Sequence, residues 1–129
     1  MANPRTYPAP EISPEAKGFW DAANDERLVL ATCLRCGRAH HFPRAVCPHC
    51  HATTLEFRTI DPRGEIYSFS VVGAGDDRYA IAYVTVAGGV KMMTNIVDCD
   101  FDALSIGKAV HAVYVPSQSG QKLVMFTPS

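Results

Sequence analysis

Apolar residues recur along this chain with two different periods, and the change of period divides it. From Pro14 to Arg27 they share one helical face, with Ala16, Phe19, Trp20 and Ala23 in register. Ser13 is placed to cap this helix and Pro14 suits its first position. Ahead of it, residues 1–14 hold four prolines and little apolar content, which reads as an extended, mobile arm. Leu28 to Ala31 is a short apolar run, and Leu55 and Phe57 alternate as in a strand. Asp61-Pro62-Arg63-Gly64 signals a turn. After Gly64 the period becomes two. Tyr67, Phe69 and Val71 share a strand face that ends at Gly73, and a loop of small and acidic residues runs to Asp77. Ile81, Tyr83 and Thr85 alternate with Ala82, Val84 and Val86, Gly88-Gly89 supplies a hairpin turn, and Val90, Met92, Thr94 and Ile96 return. Asp98 to Gly107 is a connector with one helical turn. Val110, Ala112 and Tyr114 alternate next. Ser117 to Gly120 turns the chain, and Leu123 and Met125, with Val124 and Phe126 opposite, form a last strand. Five short strands with one connector between the third and fourth predict a small closed barrel, and the five-stranded OB-fold fits that spacing.

The segment between helix and barrel has too few large apolar residues to make its own core. It carries two cysteine pairs instead, Cys33-Leu34-Arg35-Cys36 and Cys47-Pro48-His49-Cys50, ten residues apart. A tetrahedral zinc ion held by thiolates takes two ligands from each of two tight turns, and this spacing supplies them. Cys33, Cys36, Cys47 and Cys50 are therefore the expected ligands of a structural zinc, which contributes on the order of 10 kcal/mol to folding such a module. Other readings fit less well. Paired disulfides need an oxidising compartment, and no charged-then-apolar leader opens the chain. A thioredoxin-like motif needs a βαβ setting that is missing here. A catalytic zinc needs an open coordination position, which four thiolates would fill. His40, His41, His49 and His51 crowd the same segment and are expected on its surface, with four sulfurs already sufficient. Gly37 follows the first pair and His51 the second, so His51 is expected to adopt the left-handed backbone that glycine would supply.

The chain has 129 residues and a net charge of −1. That balance gives no global attraction for nucleic acid or anionic membranes. No apolar run reaches transmembrane length, and a cytoplasmic location is expected. Charge is unevenly spread: Arg27, Arg35, Arg38 and Arg44 lie in a stretch from Arg27 to Leu55 without aspartate or glutamate. This local cationic patch is either a solvated face or a site of attraction for phosphate. Cys99 stands between Asp98 and Asp100, whose charges should raise its pKa and argue against a nucleophilic role.

Taken in order, these residues resemble a family of zinc-ribbon plus OB-fold accessory proteins, long known only as a domain of unknown function. Phe19-Trp20-x-Ala22 resembles its helix. Cys33-x-x-Cys36-Gly37, Phe42-Pro43-Arg44 and Cys47-Pro48-x-Cys50 resemble its rubredoxin-like ribbon. Gly64-Glu65-Ile66-Tyr67-Ser68-Phe69 resembles the entry strand of its barrel, and Asn95 to Asp100 with Leu104-x-Ile106-Gly107 its connector. His51 departs from the family's glycine, and the loop from Gly73 to Tyr79 lacks the proline that relatives carry. The resemblance implies a mainly β chain with an arm and helix over residues 1–27, a zinc ribbon over 28–57 and an OB-fold over 58–129.

It further implies a non-catalytic subunit that binds a thiolase-like enzyme, or an acyl-CoA hydratase, and helps hold acyl-CoA. In the thiolase case the partner's cysteine would attack the acyl group. The arginines could then meet coenzyme A phosphates, and Phe19 and Trp20 either anchor the partner or pack internally. The alternative is a single-stranded nucleic-acid-binding module, disfavoured by the net charge and the scattered lysines. An independent enzyme using His111 or Cys99 is a third reading, for which no accompanying catalytic pattern is visible.

Overall fold

A computed structural model describes residues 6–129; part of the expected N-terminal arm, residues 1–5, lies outside the described residues. A single 3-10 turn, Pro14–Ala16, leads into helix α1, Lys17–Asn24. Ser13 is extended and caps with no side-chain bond; its carbonyl accepts from the Ala16 amide at 3.1 Å. The helix stops before the expected Arg27. Glu26 turns left-handed (φ 57°), so the Glu26 amide donates to the Ala23 carbonyl and the Arg27 amide to that of Ala22. This paired closure satisfies the last carbonyls and reverses the chain.

Strand β1 (Val29–Cys33) lies between β2 (Ala39–His40) and β3 (Leu55–Thr59) in an antiparallel three-stranded sheet. All five β1 residues are buried, so the strand lacks a solvent face. Helix α1 packs against β1 and also against the last strand of the barrel.

The barrel comprises β4 (Arg63–Val72), β5 (Tyr79–Thr85), β6 (Lys91–Ile96), β7 (Ala109–Pro116) and β8 (Lys122–Pro128), closed in the order β4-β5-β6-β8-β7. This is the five-stranded OB-fold arrangement. Gly88 and Gly89 both take positive φ (73° and 77°) between β5 and β6, as the hairpin demands. The connector after β6 holds one 3-10 turn, Phe101–Ala103, capped by the Asp100 carboxylate on the Asp102 amide. The seam between β6 and β8 is parallel and registers at one pair, Ile96 with Phe126. The Val97 amide bonds the Phe126 carbonyl at 2.9 Å, and the Thr94 hydroxyl donates to that of Val124 at 3.2 Å.

One expected face is rearranged. The β4–β5 register shifts between Ile66 and Ser68, a β-bulge. The extra residue turns Tyr67 outward, 55% exposed, while Ile66 is buried at 1%. Ile66, Phe69 and Val71 therefore serve the same core despite their odd spacing, and Tyr67 leaves the set. The core is also continuous across modules: Phe19, Ala22, Leu28, Val29 and Leu30 belong to one buried cluster with Ile66, Val84, Ile96 and Phe126. No helix among the described residues is long and apolar enough to cross a membrane.

Candidate metal centre and its surroundings

Two knuckles of matching geometry bring the cysteines together. In the first, the Gly37 amide donates to the Cys33 carbonyl at 2.9 Å, and the Arg35 and Cys36 amides point at the Cys33 sulfur, each at 3.4 Å. In the second, the His51 amide donates to the Cys47 carbonyl at 2.9 Å and the His49 amide to the Cys47 sulfur at 3.4 Å. Both turns need left-handed backbone after the last cysteine, and Gly37 (φ 77°) and His51 (φ 67°) supply it. The imidazole at position 51 thus fits the turn as expected.

The four sulfurs of Cys33, Cys36, Cys47 and Cys50 all lie within 4.8 Å of one another. Cys33 to Cys50 is 3.5 Å and Cys36 to Cys47 is 3.8 Å. A tetrahedron with zinc–sulfur bonds of about 2.3 Å has edges of roughly 3.8 Å. Disulfide sulfurs would sit about 2.05 Å apart. The donor set therefore fits a zinc ion. Its electrostatics point the same way. The Cys36 amide, with that of Arg35, holds the Cys33 thiol down to about 6 against its burial. Cys50 is pushed up to about 11: the Ala52 amide favours its thiolate, but burial and the sulfurs of Cys33, Cys36 and Cys47 oppose it. Four thiolates this close repel one another until a cation sits among them.

The neighbouring histidines divide. His49 and His51 are exposed, but His40 is buried at 6% exposure and accepts the Arg44 amide at its Nε2, 3.3 Å away. His41 stacks near Phe19 (ring centroids 5.1 Å) and Phe42 (5.3 Å), and burial, then His40, holds it down to about 4. His40 is thus packed inside and His41 is half-buried, contrary to the surface expected from sequence. His41 is drawn in because it covers Phe19, which is 4% exposed and therefore packs rather than docks. Trp20 stays half-buried at 5.2 Å from Phe19, and Phe42, 44% exposed, forms the open rim of this aromatic cluster.

A polar clamp holds α1 to the barrel. Asn24 donates to the Gln121 side-chain oxygen at 3.1 Å and accepts the Lys122 amide at 2.9 Å. Gln121 donates to the Trp20 carbonyl at 3.0 Å, and Lys122 pairs with Glu26 at 2.8 Å. Nothing in the sequence marks partners nearly a hundred residues apart. Of the four arginines, Arg27 is engaged, with Thr59 at 2.9 Å and Asp25 at 3.9 Å. Arg35, Arg38 and Arg44 make no ion pair among the described residues. The Cys99 thiol is pushed up by burial and then by Asp100 and Asp98. The His111 ring meets the Ser129 hydroxyl at 3.1 Å.

Residues 20–56 match the family described as ChsH2, rubredoxin-like zinc ribbon domain, and residues 57–115 match ChsH2, C-terminal OB-fold domain. A DUF35 domain-containing scaffold protein of Methanothermobacter thermautotrophicus is 34% identical over 94 residues, 67% of this chain and 71% of that protein. The chain belongs to the DUF35 family. A probable enoyl-CoA hydratase alpha subunit of Thermomonospora curvata is 28% identical over 127 residues, 95% of this chain, which spans only 40% of that protein's length. Among solved structures, a chain of the Ltp2-ChsH2(DUF35) aldolase superposes with a TM-score of 0.82 at 27% identity, covering 93% of this chain and 98% of that one. In this DUF35 chain the sulfur cluster and the aromatic rim lie together, and the clamp ties the helix beside them to the barrel. Four thiolates around a zinc ion would leave no position for substrate, the donor set of a structural centre.

Proposed function

We propose that this DUF35 chain is a non-catalytic, cytoplasmic accessory subunit of a thiolase-like acyl-CoA enzyme complex. It stabilises the catalytic partner and helps bind the acyl-CoA, whose carbon–carbon bond the partner cleaves or forms, as in β-ketoacyl-CoA cleavage. The observation that carries this reading is the superposition, over nearly the whole of both chains, with a chain of the Ltp2-ChsH2(DUF35) aldolase. The scaffold and hydratase-subunit relatives support a role beside an acyl-CoA enzyme, an acyl-CoA hydratase being the other partner class.

In this reading Cys33, Cys36, Cys47 and Cys50 hold one zinc ion, which supplies rigidity and no reaction step. Trp20 and Phe42 present an aromatic rim to the enzyme, the residue class that dominates interface energetics. Arg35, Arg38 and Arg44 offer unpaired guanidinium groups to coenzyme A phosphates.

Co-expression of the full chain with a thiolase-like subunit of the same genome tests the proposal. A stable heteromer is expected, with turnover of β-ketoacyl-CoA by the complex and none by this chain alone. Trp20→Ala should weaken the heteromer by about thirtyfold, the loss of a hot spot worth roughly 2 kcal/mol, while the barrel stays folded. Turnover by the isolated chain, or no association with such a subunit, overturns it.

A further inference from the structure

Between His40 and Cys47 the chain runs from His41 to Val46 without a strand or a helix. The one hydrogen bond this segment makes among the described residues runs from the Arg44 amide to the Nε2 of His40, at 3.3 Å. The segment carries the chain from the sheet to the second knuckle. Its course therefore sets where the Cys47 sulfur meets that of Cys36, 3.8 Å away. Beyond Arg44 only Ala45 and Val46 precede Cys47, which is fully buried. At the other end His40 is held by the sheet, opposite Ala31 of β1, and is itself buried. An imidazole is an odd occupant of such a place. Its Nδ1 is buried with no hydrogen-bond partner, and a buried polar atom left unpaired is costly. An aliphatic side chain would avoid that cost, so the reason for the ring lies at Nε2. A backbone N–H only donates, so Nε2 accepts without a proton and Nδ1 carries it. Burial, and after it His49 and Arg44, lower the pKa of His40, which keeps the ring neutral and Nε2 open. With Nε2 occupied, His40 is no metal ligand, and the group that converges within 4.8 Å holds the four sulfurs and no imidazole.

We propose that His40 is a positioning residue for the metal centre: its Nε2 acts as a surrogate carbonyl that pegs the loop at Arg44 and so holds Cys47 in place for zinc, without touching the ion. The peg joins the sheet that carries Cys33 to the knuckle that carries Cys47 and Cys50. Freed of it, the loop gains backbone freedom that must be given up again each time the second cysteine pair closes on the ion. That loss falls on metal binding and leaves the barrel, whose ladders do not include this loop, unaffected. Groups outside the coordination sphere that orient ligands change metal affinity by about 10–100-fold. His40 acts through a loop and not on a ligand directly, so the low end of that range is expected. This role concerns the ribbon alone and does not depend on the accessory reading.

Two conservative substitutions separate the acceptor from mere bulk. His40→Gln places an amide oxygen as far along the side chain as Nε2, and His40→Asn only as far as Nδ1. Zinc transfer from the full chain to a chromogenic chelator, followed in time, should run roughly tenfold faster for His40→Asn and His40→Leu than for the unaltered chain, and within about threefold of it for His40→Gln. Nitrogen-15 NMR of the unaltered, zinc-loaded chain should show the imidazole proton of His40 on Nδ1. Initial zinc content and circular dichroism confirm that each variant is folded, and the comparison of His40→Gln with His40→Asn decides should His40→Leu fail to load zinc. Equal release from His40→Gln and His40→Asn overturns the proposal. So does release from His40→Leu at the unaltered rate, or a proton found on Nε2.

Discussion

Replacing Cys50 by serine separates what the metal holds from what packing holds. Cys50 is only partly buried, so the substitution leaves the core intact and removes one sulfur from the cluster. A structural zinc of this kind contributes about 10–16 kcal/mol, against a net stability of about 5–15 kcal/mol for a whole domain. Packing offsets part of the loss. Phe19, Leu28, Val29 and Leu30 are exposed by 4%, 1%, 2% and 1% and share the barrel's cluster. Their burial supplies about 6–12 kcal/mol at 1.5–3 kcal/mol each. At mid-range that falls short of the metal's contribution, while ordering residues 28 to 57 still costs conformational entropy. Without the metal, β1, β2, β3 and the helix they cover should therefore unfold together. The barrel, closed by its own ladders, should persist at lower stability. Elemental analysis beside hydrogen exchange checks this: amides of β5 and β6 stay protected, and those of β1 and β3 exchange at unfolded rates. A metal-free Cys50→Ser protein with β1 still protected refutes the reasoning.

Other perturbations follow from single positions. A Cβ on Gly64 would meet the Thr85 carbonyl at 2.6 Å and a Val84 methyl at 2.7 Å. Gly64→Ala should therefore destabilise the barrel by about 1–3 kcal/mol in denaturant titration, and an unchanged midpoint argues against that contact. His51 is left-handed with a Cβ, so His51→Gly should raise the thermal midpoint by an amount equivalent to about 1 kcal/mol; a fall would show that the imidazole contributes packing instead. His41 is held down to about 4 in the fold, below its ordinary 6.5. The unfolded chain then binds more protons between those values, so stability should fall by about 3 kcal/mol as pH drops from 6.5 through 4. His41→Leu should flatten that slope while zinc content is followed in parallel, and an equally steep profile in the variant removes His41 as its cause.

The parts legible in the sequence were those fixed by local geometry. Two cysteine pairs flanked by Gly37 and His51 dictate the knuckles, because only that backbone brings the sulfurs together. Alternation from Ala82 to Val86 and from Met92 to Ile96 marks strands because one face is buried, and Gly88-Gly89 marks the turn between them. The bulge at Tyr67 escaped, since one extra residue in a ladder leaves no compositional trace while reversing which side chains face inward. The packing of His40 and His41 escaped because imidazoles are equally at home in water, and only contacts made in the fold, the Arg44 amide on His40 and Phe19 on His41, decide it. The Asn24–Gln121–Lys122 clamp escaped because it joins segments that meet only once the barrel has closed. The end of α1 came three residues early because Glu26, without the glycine usual at that position, still turned left-handed.

The barrel wall is not uniformly stitched. Four of its junctions run along several residue pairs, whereas β6 and β8 meet at the single pair Ile96 and Phe126, with the Thr94 hydroxyl drawn in to help. Thermal breathing or a mechanical pull would part the cylinder along that line first, splaying it into a curled ribbon whose ends are β6 and β8. Because β8 begins at the Gln121 and Lys122 tether to the helix, such an opening would travel outward and loosen the metal-bearing lobe without touching a cysteine.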